Sequence, residues 1–431
     1  MLVRVLVMTT AATPSASASN IVAGPFASPA GSGPTVGPTV RALGNRVASV
    51  DAYRGLVMLL MMGEVLRLGR VAAAMPGNRF WEFLAKHQSH VEWIGCTLHD
   101  LIQPSFSFLV GVALPFSLAR RADEGQPQWR RTLHAFGRAL VLVLLGVFLR
   151  STHSDRTNWT FEDTLTQIGL GYGFLYLLAL RSRRVQWATL AALVLGYWVA
   201  FALYPLPGPG FDWSKAGVKP GDPELLSGFA AHWGKNINLA WAFDTWFLNL
   251  FPRKQPFTHN GGGYATLSFI PTLATMVLGL LAGGVLRSDR SQVAKGQWLA
   301  VAGVVALAGG WLVGALGLCP VVKRIWTPSW VLFSGGWCFL LLAASYAVID
   351  VWRVRRWAFF LVVVGMNSIA AYLIAHLWEE FIAHALPRHF GRAWVTFSGK
   401  PYEPLILGAA VLLVEWLILW WMYRRKIFLR V

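Results

Sequence analysis

The stretch His90–Gly111, HVEWIGCTLHDLIQPSFSFLVG, sets His90, His99, Asp100 and Gln103 against the front of an apolar run. Ionisable groups at the edge of a segment long enough to cross hydrocarbon are costly, so they need a partner or a task. The surrounding chain is far from a soluble composition: 55% of its 431 residues are hydrophobic, 13% are charged, and the mean hydropathy is +0.49. Apolar runs of roughly 17–25 residues recur along it, each able to span a hydrocarbon core as a helix. The pattern predicts an all-α, polytopic integral membrane protein.

About ten spans are expected, at 52–70, 97–119, 133–150, 164–180, 185–205, 263–286, 298–318, 330–351, 357–377 and 404–423. Basic clusters follow the even-numbered ones, among them Arg120 and Arg121, Arg183 and Arg184, Arg355 and Arg356, and Arg424 and Arg425. The positive-inside rule makes that side cytoplasmic, which puts both termini inside. The opposite face takes the longer, more aromatic connections, above all 206–262 with Trp213, Trp233, Trp241 and Trp246. A connection of that length and composition is expected to be functional, so a site should open outward. Residues 1–46 are rich in Ala, Ser, Gly and Pro and read as a disordered tail, with a cleaved signal peptide as the rival reading.

The net charge of +18 sits in short clusters between apolar runs, a pattern that orients a membrane protein; no nucleic-acid partner is expected. Cys96, Cys319 and Cys338 lack metal-ligand spacing, so no metal is expected, and a Cys96–Cys319 disulfide is a question of geometry. Walker loop, GxSxG and HExxH motifs are absent, and GLGYG at 169–173 lies inside an apolar span, where it reads as helix packing.

Three polar sets need explaining. A helix starting near Glu92 would bring Trp93, Thr97, Asp100 and Pro104 onto one face, with His90 just upstream. An imidazole beside a carboxylate at the outer edge is a reasonable general base, and the alternative is an interfacial histidine next to a helix-packing Asp100. Ser368, Tyr372, His376 and Glu380 recur every fourth residue beside Asn367, which falls near mid-bilayer; either they face a site or they bond helix to helix. In the first span, Asp51 and Arg54 are an interfacial ion pair, or Arg54 meets a phosphate arriving from the cytoplasm. Glu64, further out, must meet a cation or share a proton.

These residues carry a resemblance to the heparan-α-glucosaminide N-acetyltransferase family of transmembrane acyltransferases. The family's H-x-x-W-x-G-x-T-x-x-D-L-x-x-P-x-F-x-F-x-x-G is present as His90, Trp93, Gly95, Thr97, Asp100, Leu101, Pro104, Phe106, Phe108 and Gly111. SVDAYRGLVMLLM at 49–61, NLAWAFD at 238–244, the P-x-x-K-x-x-W of Pro320, Lys323 and Trp326, and GMNSI at 365–369 are similar to further family segments, in the family's order. Two positions depart from it: MGEVL, with Glu64 or Val65, stands where lysosomal members carry Asn, and Gln167-Ile168 replaces a Gln-Arg pair.

The resemblance implies that 47–431 is one transmembrane acyltransferase domain moving an acetyl group from cytoplasmic acetyl-CoA to an amino sugar or glycan on the far side. His90, Asp100 and Asn367 are then the expected catalytic residues, and Arg54, Trp326 and Lys323 are expected to hold acetyl-CoA. Glu64, Trp93, Gln167 and Asp244 are expected to hold the acceptor. A bacterial inner membrane is the expected location, and homodimerisation is implied by family likeness alone. The competing reading is a transporter or flippase of a sugar or acylated metabolite, using the same stripes to bind rather than react.

Overall fold

The structure is a computed structural model that describes residues 47–429, so the expected tail over 1–46 lies outside the described residues. The long helices are α1 (Ala48–Met62), α2 (Ile102–Asp123), α3 (Gln128–Ser151), α4 (Thr164–Ala179), α5 (Arg183–Leu203), α6 (Phe269–Leu286), α7 (Gln292–Ala315), α8 (Pro328–Tyr346), α9 (Phe359–Met366), α10 (Ser368–Leu377) and α11 (Glu403–Arg424). The described residues contain no sheet, only one isolated antiparallel bridge between Ile94 and Val322. The protein is an integral membrane protein: among the described residues seven helices are long and apolar enough to span a bilayer, or eight if α9 and α10 count as one.

The expected ten spans are therefore corrected at three places. The first ends early, because Gly63–Leu66 tightens into a 3₁₀ turn and Arg67 turns left-handed at φ 49°. The fourth, α4, has 16 residues, about 24 Å of helix, shorter than a hydrocarbon core. The ninth breaks at Asn367, where α9 and α10 meet at 70°.

Helix α6 is the axis of the bundle: its span is 83% buried, against 17% for the span of α7. It gets there because glycines let backbones touch. A Cβ on Gly279 would lie 1.9 Å from the Phe108 carbonyl oxygen, and one on Gly111 would lie 1.9 Å from that of Met276, so α2 and α6 cross with nothing between them. Gly169 serves the same purpose, since a Cβ there would meet the Ala139 carbonyl at 2.7 Å, while Gly171 and Gly173 make room for the Met276 and Phe136 side chains. Gly279→Val should therefore yield no monodisperse protein on size-exclusion chromatography, since the obstacle is backbone and cannot rotate away. A well-folded Gly279→Val protein would refute the crossing.

The two ends of the bundle differ. At one, Arg183 donates to the Gly284 carbonyl at 3.0 Å and Arg287 to that of Pro115 at 3.1 Å, among the basic clusters. The other, called the outer end here, carries the connections 88–98, 152–163, 206–262 and 319–327. The 206–262 connection is folded: Trp233 is fully buried with Tyr197 and Phe201 of α5, and Tyr197 donates to the Ile325 carbonyl at 3.0 Å. Cys96, Cys319 and Cys338 are free thiols, so the Cys96–Cys319 bridge does not form.

Candidate functional site

Three connections are clamped together at the outer end. Gly95 N donates to the Val321 carbonyl at 3.0 Å beside the Ile94–Val322 bridge. Arg324 donates to the Val91 carbonyl at 3.2 Å and the Gly262 carbonyl at 2.7 Å, joining 88–98, 319–327 and 260–264. Trp326 closes the Lys323 turn in a left-handed conformation, φ 52°, a strained choice for a large side chain that the buried packing enforces.

That clamp brings Lys323 to the His90–Asp100 pair. Asp100 accepts from Thr97 N at 3.0 Å and Val91 N at 3.3 Å through Oδ2, which leaves Oδ1 for the His90 Nδ1–H at 2.8 Å and the Lys323 ammonium at 3.3 Å. Asp100 and Lys323 are 1% and 5% exposed at the side chain and His90 is 39%, so two buried charges hold an imidazole that reaches a cavity. With Nδ1 protonated toward a carboxylate, the lone pair of His90 lies on Nε2, the nitrogen a proton-accepting role requires. Burial pushes the imidazole below its ordinary pKa; the Asp100 hydrogen bond opposes this, and the Lys323 ammonium 3.1 Å away adds to it. Burial also pulls Lys323 below the usual lysine value, against the Asp100 carboxylate. These surroundings favour the neutral imidazole, the form a base requires.

The cavity measures about 640 Å³ and opens between these loops and α1, α2, α3 and α10. On the His90 side it also meets Glu64, which pairs with His99 Nε2 at 3.0 Å, while the His99 ring lies 4.5 Å from that of His90. On the far side Arg150 approaches Asp163 at 3.4 Å, and the Tyr372 hydroxyl donates to the same carboxylate at 3.3 Å while stacking on His376. Glu162 and Tyr264 complete that wall, with burial pushing the Glu162 carboxyl up. A second, narrower cavity of about 100 Å³ lies toward the basic end, lined by Arg54, Arg138, Tyr172 and Ser368. Phe106 lines both cavities.

The structure therefore gathers His90, Asp100, Lys323 and Glu64 at one cavity and puts Arg54 in the other, where it also pairs with Asp51 at 3.3 Å. Of the 368–380 stripe, Ser368 lines the inner cavity and Tyr372 and His376 the outer one, where Glu379 takes the place expected of Glu380. Five expected site residues stand apart from it. Asn367 spends its amide on the chain following α11, donating to the Ile427 carbonyl at 2.9 Å and accepting from Leu429 N at 3.0 Å. The Trp326 indole donates to Thr275 Oγ1 at 3.0 Å and the Trp93 indole to the Trp233 carbonyl at 3.1 Å, both buried. Gln167 binds the Phe161 and Thr266 carbonyls, and Asp244 accepts from Thr266 N at 2.9 Å with its carboxyl raised to about 7, chiefly by burial. These tie the outer loops to the bundle. Arg150, Glu162, Asp163 and Tyr264 escaped the sequence reading, although an arginine at the outer end of a span, against the charge bias, was a usable signal.

A domain-family model described as "Domain of unknown function (DUF5009)" matches residues 46–214. Human heparan-alpha-glucosaminide N-acetyltransferase is 24% identical over 90% of the chain, and the mouse protein of that name is 23% identical over 91%. The chain spans about 60% of the length of these curated relatives, 60% of the human and 62% of the mouse protein. It is a distant homologue of a membrane N-acetyltransferase.

Proposed function

We propose that this protein moves an acetyl group from acetyl-CoA, entering at the basic and hence cytoplasmic end, to an amino sugar or glycan reached from the outer end. The observation that carries the reading is His90, anchored by the buried Asp100–Lys323 pair and facing a cavity that shares Phe106 with an inner one lined by Arg54 and Arg138. The inner cavity, about 100 Å³, is too small for a nucleotide. We place the pantetheine arm there, with the phosphates near Arg54 and Arg138, since guanidinium suits phosphate geometry. His90 Nε2 takes the proton from the acceptor nitrogen as it attacks the thioester carbonyl. Proximity of two bound substrates lowers the barrier without requiring an acyl-histidine.

The deciding assay supplies radiolabelled acetyl-CoA with a panel of amino sugars to the purified protein. Labelled sugar and free CoA support the reading; no product with any acceptor refutes it. Arg54→Gln and Arg138→Gln should each raise the KM for acetyl-CoA about tenfold with kcat nearly unchanged, the mark of uniform binding lost. An unchanged KM in both would move the donor site elsewhere.

The broken α9–α10 span is the observation that favours a carrier instead, because interrupted helices form the binding sites of many transporters. Sugar accumulation in proteoliposomes without release of CoA would establish that second reading.

A further inference from the structure

At the basic end of the bundle lies an apolar groove of about 290 Å³, lined by Tyr53, Leu56 and Leu60 of α1, Ser345 of α8, and Trp357 and Phe360 at the start of α9. Two backbone features frame it. A Cβ on Gly55 would lie 1.8 Å from the Leu361 carbonyl oxygen, so α1 and α9 are clasped backbone to backbone. Beside them α8 ends in a π turn, Ala347–Val351, whose Ile349 also faces the groove. Apart from Ser345 and the edge of the Trp357 indole the lining offers hydrocarbon, because the Tyr53 hydroxyl is spent on Ser105 Oγ at 2.8 Å.

The rim has the opposite character. Arg353, Arg355 and Arg356 sit between the π turn and α9. Arg355 is committed, donating to the Ile349 carbonyl at 3.2 Å and approaching Asp350 at 3.9 Å. Arg353, left-handed at φ 58°, and Arg356 are exposed, and among the described residues neither meets a carboxylate or a carbonyl. Trp352 and Trp357, 69% and 48% exposed, bracket the three arginines, and tryptophans so placed mark the headgroup level of a bilayer. The groove beneath them is then at acyl-chain depth.

We infer that this groove binds an anionic phospholipid of the cytoplasmic leaflet, one acyl chain lying along α1 and the phosphate bridging Arg353 and Arg356. Hydrocarbon alone does not select, since every tail in the bilayer is equally apolar. Selection comes from the rim: two uncommitted guanidiniums hold an anionic headgroup more firmly than a zwitterionic one, whose own ammonium competes. The site also has a lever on the interior. Tyr53 lines the groove and its neighbour Arg54 lines the inner cavity, so a seated lipid braces the turn of α1 that carries both. The inference does not depend on the acyl-transfer reading.

The test is lipid binding by the full chain, purified in detergent. Wild type, the double variant Arg353→Gln, Arg356→Gln, and Ser345→Phe are titrated with phosphatidylglycerol or with phosphatidylcholine of identical chains, and followed by native mass spectrometry and thermal unfolding. Wild type should retain one phosphatidylglycerol with about tenfold preference over phosphatidylcholine. It should melt about 3 °C or more higher with the anionic lipid than with the zwitterionic one. The double variant is altered only at exposed positions, so it should fold and bind the two lipids alike. Ser345→Phe fills the groove and should lose the retained lipid of either kind; if it does not fold, the arginine variant decides alone. No preference in the wild type, a preference that survives loss of both arginines, or an equal shift with inorganic phosphate overturns the inference. So does a lipid retained undiminished by folded Ser345→Phe, and so does a dimer that Ser345→Phe splits, because a second copy would then fill the groove. None of these outcomes bears on acyl transfer, which the radiolabel assay decides separately.

Discussion

Replacing His90 with alanine should cut acetyl transfer by about 10²–10⁴-fold at every pH while acetyl-CoA still protects the protein against thermal unfolding. The reason is geometric. The imidazole is the group that couples a buried charge pair to the cavity, with Asp100 Oδ1 at 2.8 Å from Nδ1 and Nε2 left for the acceptor. The donor arm in the proposed arrangement lies beyond Phe106, away from the mutated side chain, so binding of acetyl-CoA and its transfer should separate cleanly. Rate measurements on the pure protein decide it: a His90→Ala enzyme within about threefold of the wild type would end the general-base assignment. Glutamine at 90 should not rescue, because an amide cannot accept the proton.

The second large effect is on stability. Asp100→Asn leaves the Lys323 ammonium, 5% exposed, without its counter-charge, and breaking a buried pair from one side costs about 3–5 kcal/mol. Its melting temperature in detergent should fall well below that of the wild type. The double variant Asp100→Asn, Lys323→Met removes both charges and should recover most of the loss, since the penalty belongs to the orphaned charge and not to the missing bond. Activity should stay low in both, because neither restores the carboxylate that orients His90. If the single and double variants melt together, Lys323 is not held as a cation by Asp100.

The spacing of residues carried a good part of this site. His90 and Asp100 are ten positions apart, but the helix expected from Glu92 does not form: 91–98 is an irregular loop, the helix starts at His99, and the loop folds back on Asp100 through Val91 N and Thr97 N. Lys323 came through a motif likeness alone: no local pattern connects it to His90, and the 233-residue separation is closed by backbone pairing and by Arg324. Period-four spacing likewise found the face of α10 that lines the cavities. What it missed was the break at Asn367, since a polar residue in an apolar run looks the same whether it faces a site or caps a chain segment. Span number suffered for a related reason: hydropathy sees composition and not the 3₁₀ turn at Gly63 or the left-handed Arg67 that shorten α1. Trp93, Gln167 and Asp244 are polar enough to suggest a ligand, yet their hydrogen bonds go to loop backbone.

The fastening of Asn367 to Ile427 and Leu429 has a practical corollary for anyone handling the protein. The few residues after α11 act as a bolt through the kink rather than as a loose trailing end. Trimming the chain at Arg424 would strand a fully buried carboxamide at the very hinge on which Tyr372 and His376 hang. Affinity handles and fluorescent fusions are therefore better attached at the amino-terminal side, leaving that bolt seated.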